Sequence, residues 1–332
     1  MTESHPSPAA GSFPVAAGPA VYVIHENPEW LVPLRAAFEA EDVPWVDWFV
    51  HEGHIDLDAA PPEGVFYNRM SASSHTRDHR YAAELTAQLL AWLEAHGRRV
   101  VNGRRALQLE ISKFEQYLAL RAHGIPTPAT LAASGRQEIV AAARALGREP
   151  FILKPNRGGK GLGVQLFDDV AALQRWLDDL PDLGALSLDG VALLQEYVRP
   201  AAGWITRTEF IGGRYYYTVG GDASEGFELC PADACTVGET FCPAPAEQPK
   251  QKFRLAATAP DDALLARLEA FFRANDAEIA AAEFVQDARG RRFAYDVNMN
   301  TNYNQQAELD AGGQRRAMRA VARFLGGELA AS

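Results

Sequence analysis

Two stretches carry residues that could do chemistry together. The first is Phe151-Ile-Leu-Lys-Pro-Asn-Arg-Gly-Gly-Lys-Gly-Leu-Gly-Val164. Glycines such as Gly158, Gly159 and Gly161 let backbone N–H groups turn towards an anion, and Lys154, Arg157 and Lys160 supply positive charge. Strand-like apolar runs flank the loop at 151–153 and 164–167, so the loop joins two strands. A Walker loop needs Gly-Lys-Ser/Thr running into a helix, but Lys160 is followed by Gly161. A Rossmann fingerprint also opens a helix. A flexible turn and a cover over phosphates remain as readings of the loop alone.

The second stretch is Phe293-Ala-Tyr-Asp-Val-Asn298. It reads as the return strand of a hairpin that leaves along 281–286 and turns at Asp287-Ala-Arg-Gly290. With a side-chain period of two, Ala294, Asp296 and Asn298 share a face. A four-residue turn puts Glu283 on that face, near Ala294 and diagonal to Asp296. Two carboxylates and an amide oxygen are hard donors of the kind that hold Mg²⁺. The other reading is a solvated acidic face. Carboxylates that converge without a lysine partner repel each other, which favours the cation.

Composition bounds the rest. The chain has 332 residues, is 47% hydrophobic and carries a formal net charge of −11. Its length suggests two or three domains. The acidic balance argues against nonspecific nucleic-acid binding, and a positive local excess inside an acidic chain implies a local anion site. No apolar run approaches a membrane span. Residues 1–19 read as a disordered tail without a basic n-region, and not as a signal peptide. Three cysteines, Cys230, Cys235 and Cys242, suit a reducing cytoplasm.

Periodicity supplies the elements that position the two stretches. Short strands at 21–24, 45–50, 65–67 and 100–101 alternate with helices at 29–40 and 81–96, which implies a small parallel sheet with helices on its faces. Ligands sit beyond the carboxyl ends of such strands. Those ends carry His25-Glu26-Asn27 and Asn68-Arg69-Met70-Ser71, followed by Ser73 and Ser74. Arg69 there is placed either to hold a substrate carboxylate or to make a surface ion pair. Ser112-Lys-Phe-Glu115 is a capping box opening a helix. Helices follow at 137–146 and 169–180, and a strand at 191–198 contains Gln195-Glu-Tyr-Val198. The last third reads as antiparallel. It has a hairpin at 204–219 turning at Gly212-Gly213, a loop-rich stretch at 222–250, a helix at 262–274, the acidic hairpin and a final helix at 314–325. The fold class is α/β and α+β.

The order of glycine hairpin, central strand and acidic hairpin resembles the ATP-grasp superfamily, and more narrowly its glutathione-synthetase-like branch with the RimK-type ligases. The resemblance runs from about residue 100 to 324, and the N-terminal parallel sheet resembles the family's pre-ATP-grasp domain. It implies a pre-ATP-grasp α/β domain at 20–107, a central subdomain with the glycine hairpin at 108–198 and a C-terminal subdomain with the metal site at 199–330. It also implies residue roles. Lys113 and Lys154 contact nucleotide phosphates, with Gly158, Gly159, Lys160 and Gly161 on the covering loop. Gln195, Glu196, Tyr197 and Val198 lie at the adenine, which pairs with backbone at 196–198. Arg207 lies near the phosphates, and Arg254 steadies the transferring phosphoryl group beside Lys154. Glu283, Asp296 and Asn298 hold Mg²⁺, with Mn²⁺ as a substitute. The family often has an acidic residue two positions before the arginine, where this chain has Ile205. It usually continues Asn-x-Ser/Thr-Pro-Gly after the metal ligands, where this chain has Asn298-Met-Asn-Thr-Asn-Tyr-Asn304. Asn300 and Asn302 on that loop, with Arg69, are the expected substrate contacts.

The implied activity is an ADP-forming, carboxylate–amine ligase acting through an acyl phosphate on an amino acid or small peptide. The expected partners are ATP and small-molecule carboxylate and amine substrates. No nucleic acid or membrane is expected, the location is cytoplasmic, and a homo-oligomer is possible. A small-molecule kinase of the same fold and a non-catalytic nucleotide-binding regulator are the alternatives. Other signals are weaker. The cysteine spacing lacks a Cys-x₂-Cys pair, so buried or cleft-lining thiols are preferred to a zinc site. His51 with His54 and His75 with His79 read as solvated or capping pairs. Arg315, Arg316, Arg319 and Arg323 read as a solvated helix face.

Overall fold

Alternate residues of the first strand bury on opposite sides of a sheet, and this decides the N-terminal architecture. In the computed structural model, β1 (Ala20–His25), β2 (Trp45–Phe49), β3 (Gly64–Asn68) and β4 (Arg99–Val101) form a parallel sheet in the order β2-β1-β3-β4. The structure describes residues 14–159, 161–222, 253–256, 259–313 and 316–332. Tyr22 and Ile24 pack with Leu89 and Leu93 of α2 (Ala82–Ala95) on one face. Val21 and Val23 pack with Leu34 and Phe38 of α1 (Val32–Ala40) on the other. That second layer also takes Val321 and Leu325 from the end of the chain. The expected helix from residue 29 begins as a short 3-10 turn at Glu29–Leu31, and Pro33 falls in the first turn of α1, where its missing N–H costs nothing.

α3 (Arg104–Ile111) and α4 (Lys113–Ala122) are separated by the extended residue Ser112. Ser112 Oγ accepts the Glu115 N–H at 3.3 Å. Only this half of the predicted capping box forms, because the Glu115 carboxylate is drawn to Arg105 at 2.9 Å. β5 (Thr130–Ala133), α5 (Arg136–Leu146), β6 (Phe151–Pro155), β7 (Gln165–Phe167), α6 (Val170–Asp179) and β8 (Ala192–Glu196) follow. Their strands form an antiparallel sheet in the order β5-β8-β6-β7. α5 and α6 cover one face through Ile139, Val140, Leu173 and Leu177.

β9 (Trp204–Ile211), β10 (Arg214–Asp222), β11 (Phe253–Leu255), α7 (Asp262–Ala274), β12 (Ala280–Gln286), β13 (Arg292–Asn298), α8 (Gln305–Asp310) and α9 (Ala317–Ala331) complete the chain. The strands form a second antiparallel sheet, β11-β10-β9-β12-β13. Gly212 and Gly213 both have positive φ, 61° and 68°, which is what a two-residue hairpin turn requires. α4 and α7 pack on one face through Tyr117, Leu120, Leu268, Phe271 and Phe272, and the other face is left for the cleft. The final helix starts at Ala317 instead of 314 and runs on to Ala331. It lies against α1 and the N-terminal sheet, so the end of the expected C-terminal subdomain returns to the first domain. Asn102, at the end of β4, ties the same two regions. Its amide donates to the Ile279 and Met299 carbonyls at 2.8 and 2.7 Å and accepts from the Glu278 and Ile279 N–H groups at 2.9 and 3.1 Å. Residues 1–13 of the expected tail, all three cysteines with most of the loop at 222–250, Lys160 and Arg315 lie outside the described residues.

Candidate functional site

The free face of the C-terminal sheet and the β6–β8 strands of the middle sheet enclose a cleft of about 360 Å³. Its two ends differ in character. Ile152 and Leu166 from one sheet face Ile205 and Val285 from the other, with Pro128 and Val198 at the edge, giving a flat apolar slot. Lys113, Lys154, Arg207, Glu283, Asp296 and Asn298 gather further in.

A β-bulge creates the acidic end. In regular register, Phe284 pairs with Ala294, so Ala282 would pair with Asp296 on the face that packs against α7. Instead the register shifts between Glu283 and Phe284, and Glu283 lies directly opposite Asp296. The extra residue, Tyr295, turns Asp296 out of the core face. This corrects two expectations. Ala294 does not share the face of Asp296 but is fully buried in the core, and Glu283 is opposite Asp296, not diagonal to it. Gln116 locks the bulge: its amide accepts the Val297 N–H at 3.0 Å and donates to the Val297 carbonyl at 2.8 Å.

The expectation that these carboxylates lack cationic partners is also corrected. Lys113, the first residue of α4, reaches across to form an ion pair with Asp296. Burial pulls the Lys113 pKa down, but Asp296, Tyr117 and Glu110 outweigh it and leave it raised. Arg207 donates to Glu283 at 3.0 Å and to Glu209 at 2.7 Å. The Arg207 guanidinium also donates to Thr301 Oγ1, which in turn donates to Glu209 at 2.8 Å. The acidic partner expected two residues before Arg207 is thus supplied two residues after it, on the same strand face. Period-two counting along β9 contained that signal. Burial raises the Glu209 carboxyl pKa against the pull of Arg207.

Lys154 has a different environment. Its ammonium donates to the Tyr117 hydroxyl at 2.6 Å, which donates onward to the Tyr295 carbonyl at 2.7 Å. Burial, helped by the nearby Lys113, pushes its pKa from the ordinary lysine value down to about 7. A buried ammonium with no carboxylate ion-pair partner among the described residues is suited to an anion. The oxygens of Glu283, Asp296 and Asn298 suit a hard divalent ion, because all three residues line the cleft on adjacent strands. Asn298 Nδ2 donates to Glu283 at 3.0 Å, which leaves the amide oxygen for a ligand.

Gly158, Gly159 and Gly161 line the cleft, and a Cβ placed on Gly159 would lie 3.6 Å from that of Ser73. The glycine loop therefore meets the segment that follows β3. Its base is anchored by hydrogen bonds. Asn156 is buried, and its backbone carbonyl accepts the Lys113 N–H at 3.1 Å while its side-chain oxygen accepts the Phe114 N–H at 2.9 Å. Sequence reading missed this anchor.

Several predicted contacts are placed elsewhere. Arg157 meets neither phosphate site nor solvent: it is buried in an ion pair with Glu84 of α2. Arg69 is buried with its guanidinium engaged. It donates to the Trp30 and Thr301 carbonyls at 3.1 and 3.2 Å and to Asn300 and Asn302 at 3.2 and 2.6 Å. It shapes the loop after β13, while Asn300 and Asn302 themselves line the cleft. Arg254 is exposed, stacked 4.4 Å from the centre of the Trp204 ring, and is not among the cleft residues. Gln195, Glu196, Tyr197 and Val198 do line it. The Glu196 N–H is committed to the Ala129 carbonyl at 2.8 Å.

No family model matches the chain. Beta-citrylglutamate synthase B of Danio rerio is 33% identical over 129 residues, 38% of this chain and 30% of that protein. N-acetylaspartylglutamate synthase A of Mus musculus is 29% identical over 166 residues, 49% of this chain and 41% of that protein. The chain thus spans less than half the length of these relatives. Among solved structures, D-cycloserine synthetase DcsG superposes with a TM-score of 0.64 at 17% identity, covering 93% of this chain and 100% of that one. A RimK domain protein ATP-grasp from Sphaerobacter thermophilus gives 0.59 at 18%, covering 93% and 99%. ATP-grasp ligase PsnB, complexed with a minimal precursor, Mg and ADP, gives 0.63 at 13%, covering 93% and 97%. The chain has the ATP-grasp fold.

Proposed function

We propose that this chain is an ATP-dependent, ADP-forming ligase that joins a carboxylate to an amine. The observation that carries the proposal is the division of one cleft. An apolar slot suits a purine, and beyond it Lys113, Lys154 and Arg207 face the acid pair Glu283 and Asp296. The matched stretches of the two synthases and the ADP and Mg in the PsnB complex support the same reading. The substrate class is an amino acid or small peptide, and a cytoplasmic location belongs to the proposal. Among the described residues no helix is long and apolar enough to cross a membrane.

In this reading a carboxylate oxygen attacks the γ-phosphorus, the bond to ADP breaks and an acyl phosphate forms. The amine nitrogen then attacks the acyl carbon and phosphate leaves. Lys154, Lys113 and Arg207 bind and orient the charged oxygens, and the glycine loop at 156–163 excludes water. Glu283, Asp296 and Asn298 would hold Mg²⁺, which when bound neutralises phosphate charge.

The test is product analysis. ATP, Mg²⁺ and a panel of amino-acid pairs are expected to yield ADP, free phosphate and an amide detected by mass. A stable phosphorylated product in place of the amide would show a kinase, and no ADP release across the panel would leave only nucleotide binding.

Lys154 gives a second prediction. Its pKa of about 7 in the free protein must rise when a phosphate anion sits beside it. Between those two values the complex holds the proton and the free protein does not. Nucleotide binding therefore takes up protons there, and affinity falls as pH rises above about 7, by up to about tenfold per pH unit. Titration calorimetry of ADP in buffers of different ionisation enthalpy is expected to show uptake approaching one proton at mildly alkaline pH. Lys154→Met is expected to abolish it, and equal uptake by both proteins would remove Lys154 from the phosphate site.

A further inference from the structure

A ligase must hold an amine beside the reacting carboxylate. The cleft end away from the apolar slot lies where the N-terminal domain meets the loop after β13. Trp30, Ser71, Ser73, Asn300, Asn302 and Glu110 line it. Three arginines border this end, and each is engaged. Arg69 holds the loop, Arg157 pairs with Glu84, and Arg77 grips the buried Glu26 through two nitrogens at 3.0 and 2.5 Å. Glu110 is in a different position. It sits on the last turn of α3, and no lysine or arginine among the described residues forms an ion pair with it. Its two oxygens accept the Ala72 and Met299 N–H groups at 3.3 and 2.8 Å. Each oxygen keeps a lone pair for a donor in the cleft. Burial, with the nearby Asp296 charge, raises its carboxyl pKa against the two backbone donors and Lys113, which is itself paired with Asp296. An end with hydroxyls, amides and one carboxylate repels a substrate carboxylate, which is drawn to the lysines, and attracts a cation.

We infer that Glu110 binds the amine substrate as an ammonium ion and takes the proton the amine must lose before it attacks. This rests on the ligase reading. An ammonium N–H bond breaks and its proton goes to a Glu110 oxygen. The freed lone pair forms the C–N bond at the acyl carbon. Phosphate leaves with the electrons of the C–O bond and carries the second proton from nitrogen.

A purely structural Glu110 would clamp the loops at 72 and 299 and nothing more, so the experiment compares two nucleophiles. Carboxylates are offered as a pool of L- and D-amino acids with their N-acetylated forms. The nucleophile is either a pool of C-amidated amino acids, cationic at neutral pH, or hydroxylamine, which is uncharged there. Glu110→Gln is expected to lose about tenfold or more in the amine-supported reaction, the effect of one charge-assisted hydrogen bond. Its hydroxamate formation is expected to stay within about twofold of wild type, because that nucleophile brings no ammonium. Glu110→Asp, which keeps the charge, is expected to fall between the two with amine. Equal loss with both nucleophiles, no loss with amine, or an Asp variant no better than Gln would each overturn the assignment. Wild-type protein that forms neither product would overturn the ligase reading itself.

Discussion

Asp296→Ala is expected to reduce ADP release by about a hundredfold to a thousandfold, the scale seen when a charge-stabilising group is removed from a reacting centre. Asp296 serves two elements at once. It anchors Lys113, the first residue of α4, and it stands across the hairpin from Glu283. Its loss frees the Lys113 ammonium and removes an oxygen donor from the acidic end. Asp296→Asn keeps the shape and the bulge but lacks the charge, and is expected to be nearly as impaired. A coupled assay for ADP with the best substrate pair checks both variants, and a melting temperature near wild type confirms that the fold survives. Turnover within about tenfold of wild type in either variant would move the site elsewhere.

Arg207→Met is expected to cost about 3–5 kcal/mol of stability, the range for breaking a buried ion pair from one side. The guanidinium is buried and joins Glu209, Glu283 and Thr301. Without it two carboxylates face each other with no cation between them. Burying charge is costly only while it is uncompensated, so removing Glu209 as well should relieve part of the damage. The double variant Arg207→Met with Glu209→Met is expected to be more stable than Arg207→Met alone. Urea midpoints with unchanged m-values measure this. A single-variant loss below about 1 kcal/mol, or a double variant that is no better, would show that the network carries little energy.

Much of the scaffold was legible in the sequence because local rules decided it. The apolar stripe and its bounds give α7 as Asp262–Ala274, and Gly212-Gly213 between apolar strands gives the hairpin turn. The residues assigned to phosphates and metal, apart from Arg157, Arg254 and the undescribed Lys160, all come to one cleft. What failed to show were features set by competition across the fold. The bulge at Tyr295 exists because Ala294 and Val297 are both claimed by the core, and no period-two pattern predicts that. Arg69 and Arg157 looked free because their partners, Asn302 and Glu84, lie far away in sequence. Glu110 lies on the polar side of a short helix and gains meaning only from the loops that close over it.

The staple at Asn102 and the returning helix α9 bear on how the molecule comes apart. One core is shared between the N-terminal sheet, β10, Ile279 just before β12, and α9, whereas the sheet of β5–β8 with α5 and α6 has a core of its own. Hydrogen exchange should therefore sort the chain into cooperative units that do not follow its linear order: the first and last segments open together, and the middle segment opens separately. The cleft lies between those units. A nucleotide seated in it touches both, so ligand would fuse two folding units into one and protect amides far from any contact.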